Sequence, residues 1–212
     1  MIYIIMCGGT YTEWAEPRQL LRIKGEPIVQ RTIHLLDVCG VDPDNIFISS
    51  NDPRFEQYAP VLYHHNRYEA YGKGSNNGTW TDCFYPTDEP TTYLFGDVVF
   101  SPEAIRTIVE TDTDSIELFA SAPPFSKYYT KPWAEPFALK VLKPNYLRTS
   151  ISLTNNLAKQ GCFRRAPIMW ELWQVITCHK LNDIDYSSYT VINDYTCDVD
   201  DIEDLKRIEE VI

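Results

Sequence analysis

Aspartate residues occur at two places where the chain is expected to leave a β-strand. Asp97 comes two residues after the strand predicted over 91–95, and Asp198 and Asp200 alternate along a later extended segment. Alternation puts the side chains of Asp198 and Asp200 on one face, so a single metal site could use both carboxylates. Acidic residues also favour turns, and Asp97 fits that interpretation as well, because residues 101–103 begin a predicted helix.

Paired glycines end the first apolar run. Residues 1–6 predict a fully buried strand, and the ligand crevice of an open α/β sheet lies outside the carboxyl ends of its strands. Glycine lets backbone N–H groups approach a phosphate closely. The turn formed by Cys7, Gly8, Gly9 and Thr10 is therefore a candidate phosphate cradle. The alternative is a plain tight turn in which glycine only supplies a positive φ.

The elements that would position these residues alternate along the chain. We predict strands over 45–50, 60–63, 91–95, 115–122 and 137–141, an extended segment over 191–201, and helices after Pro27 and over 80–84, 102–109, 145–157, 166–178 and 202–212. This order predicts a parallel sheet with right-handed crossovers. The expected fold class is α/β: a single Rossmann-like, three-layer domain over residues 1–212, with a central, mostly parallel sheet and a smaller excursion around 123–165.

Composition narrows the class of protein. The 212 residues are 44% hydrophobic and 23% charged, which is typical of a globular domain. The net charge of −11 argues against nucleic acid as a partner. No stretch approaches the ~18 apolar residues of a membrane span, so we expect a cytoplasmic protein with no membrane partner. Six cysteines without a C-x-x-C pair favour free thiols, and the absence of G-x-G-x-x-G spacing disfavours a dinucleotide dehydrogenase.

Several short motifs together resemble the opening of the nucleotidyltransferases that make NDP-sugars and CDP-alcohols. They are the first strand with its Gly-Gly turn, Pro17-Arg18, Leu20-Leu21 and Gly25-Glu26-Pro27-Ile28. Arg18 stands where that family has the lysine of Pro-Lys, and arginine keeps the positive charge as a planar fork. Glu13 stands where the family usually has a loop arginine. The resemblance implies a fold like that of the nucleotide-diphospho-sugar transferases.

The resemblance continues along the chain and implies roles for further residues. Gly96-Asp97 matches the Gly-Asp whose aspartate binds magnesium, and the segment 197–212 resembles the closing signature of the family. By that match the cofactor is Mg²⁺, held by Asp97 and Asp200 with Asp198 able to share the role. Arg18 and Lys24 would neutralise the triphosphate. The residues implied to bind the nucleobase are Gly74, Ser75, Asn76, Asn77 and Thr79, for which a flexible surface loop is the alternative.

The activity implied by the resemblance is Mg²⁺-dependent nucleotidyl transfer. An NTP would be joined to a phosphate monoester, such as a sugar 1-phosphate or a choline-type phosphate, with release of pyrophosphate. Lys127 and Lys131, in a segment dense in proline and aromatic residues, are weak candidates for binding the acceptor phosphate. The same segment could form a homodimer contact. Arg164-Arg165 is either a solvated pair before a helix or a phosphate contact.

Two other functions remain open from the sequence. Glu13 in the phosphate loop favours a non-catalytic protein of the same fold that binds a nucleotide or a nucleotide sugar, because a carboxylate repels a triphosphate. A glycosyltransferase that uses an NDP-sugar usually carries an Asp-x-Asp motif around its metal. Asp198-Val199-Asp200 has this pattern but lies at the wrong end of the chain for that class.

Overall fold

A computed structural model describes residues 1–8, 16–64, 80–122 and 133–212 of the protein. Several candidate residues fall outside these ranges, so their predicted roles stay predictions. They are Gly9, Thr10 and Glu13 of the first loop, the nucleobase candidates Gly74, Ser75, Asn76, Asn77 and Thr79, and the acceptor candidates Lys127 and Lys131.

Strands of the described chain form one large sheet and two small ones. In chain order they are β1 (Ile2–Met6), β2 (Arg22–Ile23), β3 (Glu26–Pro27), β4 (Ile46–Ser50), β5 (Val61–Tyr63), β6 (Thr91–Phe95), β7 (Val98–Val99), β8 (Ile116–Ser121), β9 (Pro136–Val141), β10 (Thr190–Ile192) and β11 (Cys197–Asp198). The large sheet has the order β10-β8-β9-β6-β1-β4-β5. Only β9 runs antiparallel to its neighbours within this sheet. The predicted central, mostly parallel sheet is confirmed.

Five α-helices of the described chain pack around the sheets. They are α1 (Ile28–Val38), α2 (Pro102–Glu110), α3 (Pro144–Lys159), α4 (Met169–Ile176) and α5 (Ile202–Val211). Ile4 and Ile5 point to opposite faces of β1 and are both fully buried. Both faces of the sheet are therefore covered, as the predicted three-layer α/β architecture requires. No helix in the described ranges is long and apolar enough to cross a membrane.

Strands β2, β3 and β7 were not predicted, and two predicted elements take a different form in the structure. Trp80–Cys83 forms a short 3-10 helix. The predicted extended segment over 191–201 divides into β10 of the large sheet and β11 of a small one. An Asx turn separates them, because the backbone N–H of Thr196 donates to Asp194 Oδ1 over 2.7 Å. Ser101 Oγ also donates to Asp194 Oδ2 over 2.5 Å, which fixes this turn against the start of α2.

The short pairing of β7 with β11 determines where the end of the chain lies. The two strands are antiparallel, with Asp198 opposite Val98. Next to this pair, the backbone N–H of Val199 donates to the carbonyl of Asp97 over 2.9 Å. Asp200 is thereby brought beside Asp97. Asp201 then caps α5 by accepting from the backbone N–H groups of its second and third residues at 2.9 and 3.0 Å, as predicted.

Candidate functional site

A cleft of about 570 Å³ opens at the carboxyl ends of the central parallel strands. Met6 of β1, Ser49 of β4 and Phe95 of β6 each line it close to the end of their strand. Ligands of open α/β sheets bind in such a position. Five of the candidate residues line this cleft: Gly8, Arg18, Asp97, Asp198 and Asp200.

Gly96 allows β6 to pass close to β1 at the floor of this cleft. A Cβ atom added at Gly96 would lie 2.4 Å from the carbonyl oxygen of Met6 and 3.0 Å from Cys7 Sγ. The backbone N–H of Gly96 instead donates to that Met6 carbonyl over 3.1 Å. Glycine is required here for the close approach of two backbones, and the next residue, Asp97, is thereby placed on the cleft wall.

Arg18 joins the two acidic segments across the cleft. Its Nη1 atom donates to Asp200 Oδ1 over 2.8 Å and to the carbonyl oxygen of Val199 over 2.9 Å, and it lies 3.7 Å from Asp97 Oδ2. The Arg18 side chain is only 20% exposed, so these contacts are partly shielded from water. Arg18 is the first residue of a 3-10 helix, Arg18–Leu20. Gln19 and Leu20 of this helix are buried, which anchors the backbone from which the Arg18 side chain extends.

Asp198 lies where burial affects its ionisation. Burial raises the pKa of its carboxyl well above the usual range, and the negative charges of Asp200, Asp97 and Asp204 raise it further. Carboxylates that repel one another in a partly dry site are stabilised by an added cation, and carboxylate oxygen suits Mg²⁺. The donor set therefore fits the implied metal chemically. It is not assembled into a site, because the described residues contain no group of three His, Cys, Asp or Glu placed to hold a metal ion.

The described part of the Gly-Gly turn is fixed by hydrogen bonds to β4. The backbone N–H of Cys7 donates to Ser49 O over 2.9 Å, and the Cys7 carbonyl accepts from Ser50 Oγ over 3.0 Å. The thiol of Cys7 is buried, and burial, with a smaller effect from the charge of Asp97, raises its pKa. The amide of Cys7 is therefore engaged by β4 and its side chain is buried, whereas Gly8 lines the cleft.

Lys24 lies apart from the residues that line the cleft. It occupies the turn between β2 and β3 with a positive φ of 48°. Its backbone nitrogen is 3.4 Å from Glu209 Oε1 of α5. The structure thus brings Arg18 together with the three aspartates but does not bring Lys24 to them.

The cleft is also lined by residues that the sequence did not single out as substrate contacts. Trp133, Glu135 and Tyr186 line it together with Arg165. Trp133 is 43% exposed, and its Nε1 donates to Glu135 Oε1. The sequence signal for this region was its density of aromatic residues and the Arg164-Arg165 pair, which did not show that both lie on the same cleft as Asp97.

Solved structures match nearly the whole chain. One is a protein from Bacillus anthracis whose assignment as a glucose-1-phosphate thymidylyltransferase is provisional, with 13% identity, a TM-score of 0.59 and coverage of 99% of this chain and 94% of the other. Another is CTP:phosphocholine cytidylyltransferase from Streptococcus pneumoniae, with 13% identity, a TM-score of 0.54 and coverage of 99% and 98%. A third is 4-diphosphocytidyl-2C-methyl-D-erythritol synthase from Anaerococcus prevotii, with 12% identity, a TM-score of 0.56 and coverage of 98% and 93%.

This chain has a nucleotidyltransferase fold. At 12–13% identity the structural likeness shows the fold and not the reaction. No protein-family model matches the sequence, and no curated protein matches it at a significant level. The predicted fold class and the resemblance to the nucleotidyltransferases are confirmed at the level of the fold.

Proposed function

We propose that this protein transfers a nucleotidyl group from an NTP to a phosphate monoester and releases pyrophosphate. The observation that carries the proposal is the ion-paired cluster of Arg18 with Asp97 and Asp200, on a cleft at the carboxyl ends of the parallel strands. A cation and several carboxylates in one cleft suit a reaction in which negative charge moves between phosphate oxygens. Lys24 stays a weaker candidate because it does not line the cleft.

The carboxylates of Asp97 and Asp200, with Asp198 beside them, would hold Mg²⁺. Bound there, this cation supplies charge screening for the attacking and leaving oxygens of nucleotidyl transfer. A phosphate oxygen of the acceptor attacks the α-phosphorus of the NTP in line, the bond from that phosphorus to the bridging oxygen breaks, and pyrophosphate leaves with the bonding electrons. No nucleophile from the protein is needed.

Arg18 has a defined task in this scheme. In the structure its guanidinium neutralises Asp97 and Asp200. With Asp97 and Asp200 holding Mg²⁺, the Arg18 guanidinium would be able to bind the phosphates of the NTP. Arginine suits such an exchange, because its planar fork matches both carboxylate and phosphate oxygens.

A thermal-shift panel tests the binding half of the proposal. Four NTPs and four common NDP-sugars are each added with and without Mg²⁺. A ligand at about 100 times its dissociation constant stabilises the fold by ~2.7 kcal/mol, which is about 5–10 °C for a domain of this size. We expect a magnesium-dependent shift with one NTP.

Pyrophosphate release then tests the reaction itself. The NTP from the panel is incubated with Mg²⁺ and with glucose 1-phosphate or phosphocholine, acceptor classes that fit the proposed reaction. Release that depends on both substrates supports nucleotidyl transfer. Binding of an NTP without release from any phosphate monoester would identify a non-catalytic nucleotide-binding protein, and a preference for an NDP-sugar would identify a glycosyltransferase.

A further inference from the structure

Arg165 is a basic residue of the cleft whose position is fixed by a buried acid. Its Nε atom donates to Glu171 Oε1 over 2.5 Å, and the Glu171 side chain is only 5% exposed. The other carboxylate oxygen of Glu171 accepts from the backbone N–H of Ile168 over 3.0 Å at the start of α4. Glu171 is therefore held by the helix end and in turn holds one edge of the guanidinium.

Among the described residues, only Glu171 forms a hydrogen bond with the Arg165 guanidinium. That bond uses Nε, so both terminal amino groups lack a hydrogen-bond partner within the four described ranges, although the charge of Arg165 also acts on nearby Tyr186. The Arg165 side chain is 53% exposed and lines the same cleft as Asp97. An arginine with a fixed Nε and two open amino groups presents the geometry that binds two oxygens of one phosphate.

Residues that line the same cleft as Arg165 indicate what else this ligand carries. Trp133 and Tyr186 supply aromatic surface, and Glu135 supplies a carboxylate. The negative charge of Glu135 would repel a second anion. Its carboxylate already accepts from Trp133 Nε1 and could accept further hydrogen bonds from hydroxyl or ammonium groups. Aromatic rings suit either the apolar face of a sugar or a cationic head group. These residues therefore suit a single phosphate on a polar or cationic body better than the polyphosphate of an NTP.

We propose that Arg165 binds the phosphate of the acceptor, and that Glu171 is the residue that positions Arg165 for this role. This inference rests on the proposed nucleotidyl transfer, because it assigns the acceptor to the part of the cleft that Arg165 lines. It places the specificity of the reaction among Trp133, Glu135 and Tyr186. The ligand class is a phosphate monoester whose body bears hydroxyl or ammonium groups.

Tryptophan fluorescence offers a readout that does not need turnover, because Trp133 and Trp170 both line the cleft. Wild-type protein is titrated with inorganic phosphate, glucose 1-phosphate and phosphocholine at constant ionic strength, with and without the NTP selected by the thermal-shift panel. We expect saturable binding, tighter for the monoester whose body fits. Comparison of glucose 1-phosphate with phosphocholine distinguishes a sugar from an ammonium acceptor.

The variant Arg165→Ala has a matched control in the neighbouring arginine. Arg164 is also exposed but does not line the cleft, so Arg164→Ala removes the same charge from the same loop. We expect Arg165→Ala to weaken monoester binding by about 10-fold or more, as befits the loss of a charge-assisted, two-oxygen contact. Arg164→Ala is expected to change it less than about 2-fold, as is usual for an exposed charge.

A double-mutant cycle tests whether Glu171 acts through Arg165. Glu171→Gln is expected to weaken monoester binding in the wild-type background. It should have no further effect in the Arg165→Ala background if it acts only by positioning that side chain. An effect of Glu171→Gln that is equal in both backgrounds would show a general structural role and would overturn the positioning part of the proposal.

Binding of the NTP separates this inference from the proposed function. Arg165→Ala is expected to leave the NTP affinity unchanged. A loss of NTP affinity instead would assign Arg165 to the triphosphate and overturn the acceptor assignment, while nucleotidyl transfer would stand. The assignment also fails if the Arg165 and Arg164 variants bind every monoester alike, or if wild type binds none of them with or without NTP. Monoester binding that depends on Arg165 without any NTP binding would contradict the proposed function alone.

Discussion

Arg18 and Asp200 are 182 positions apart in the sequence and form a 2.8 Å ion pair at the cleft. The same arginine lies 3.7 Å from Asp97, so one guanidinium contacts two carboxylates that are far apart in the sequence. This arrangement holds the acidic cluster together before any ligand arrives. It also places the positive charge of Arg18 where we propose that the phosphates of an NTP bind.

Asp97→Asn is expected to leave the fold intact and to lower turnover by at least about 100-fold, the size of effect typical of losing an electrostatic contact to the transition state. Pyrophosphate release gives the turnover and thermal unfolding reports the fold. Asp37→Asn, on the exposed face of α1, is the control and should match wild type in both measurements. Near-normal turnover of the Asp97 variant would remove this residue from the reaction.

Arg18→Ala should weaken NTP binding by about 10-fold or more, because the variant lacks the cation proposed to meet the triphosphate. It should also lower stability by about 1 kcal/mol, since Asp97 and Asp200 then repel each other without a counter-charge. Because Mg²⁺ can replace that charge, millimolar Mg²⁺ should restore part of the lost melting temperature in this variant.

The control for Arg18→Ala removes an arginine from an exposed ion pair. Arg54 pairs with Asp52 at the surface and is 52% exposed. Arg54→Ala should show neither the loss of NTP affinity nor the recovery with Mg²⁺. If Mg²⁺ raised the melting temperatures of both variants equally, the acidic cluster would not be the place where the cation acts.

Gly96→Ala should be strongly destabilising, by about 3 kcal/mol or more, because its Cβ would overlap a backbone carbonyl that cannot move aside. That loss corresponds to a fall in melting temperature of about 6–12 °C. Gly40→Ala gives the contrast. Gly40 has a φ of +81° but open space around it, so only backbone strain of about 1 kcal/mol is expected there. Equal losses in the two variants would contradict the close approach of β6 to β1.

Stability should decline in alkali because two tyrosines need their protons in the fold. Burial, with a smaller effect from Tyr186, raises the pKa of Tyr189 to about 12, and burial also raises the pKa of Tyr93. Their hydroxyls donate to the carbonyls of Ser121 and Tyr85. A raised pKa in the folded state stabilises the protein below the unfolded value of about 10, and this stability is lost as pH rises through the folded pKa.

Urea unfolding between pH 8 and pH 11 measures this dependence. The midpoint should begin to fall near pH 8.5, where the Cys7 thiol ionises in the unfolded chain, and should fall more steeply above about pH 9.5, where the tyrosines do. Tyr189→Phe should start from a lower midpoint, because it lacks the hydrogen bond to Ser121, and should then fall less steeply with pH. An unchanged slope in this variant would show that other groups carry the alkaline transition.

Much of the architecture could be predicted from the sequence. Apolar runs and their periods are local features of the sequence, and they predicted the central strands and the helices after Pro27 and from Ile202 to the end. The alternation of these strands and helices predicted the mostly parallel sheet. Gly96-Asp97 and Asp198-Val199-Asp200 were identified as candidates through their resemblance to motifs of the nucleotidyltransferases, and all three aspartates line the cleft. Local patterns suffice for such features because each residue in them is judged against residues close to it in the chain.

Only the tertiary structure decided which distant residues meet. The Asx turn at Asp194 divides the predicted extended segment, and the pairing of β11 with β7 then places Asp200 beside Arg18. In the same way, burial of Glu171 at the start of α4 turns one of two adjacent arginines into a fixed group on the cleft. Nothing in the local sequence distinguishes Arg165 from Arg164. The difference arises from packing between segments, and packing depends on the whole fold.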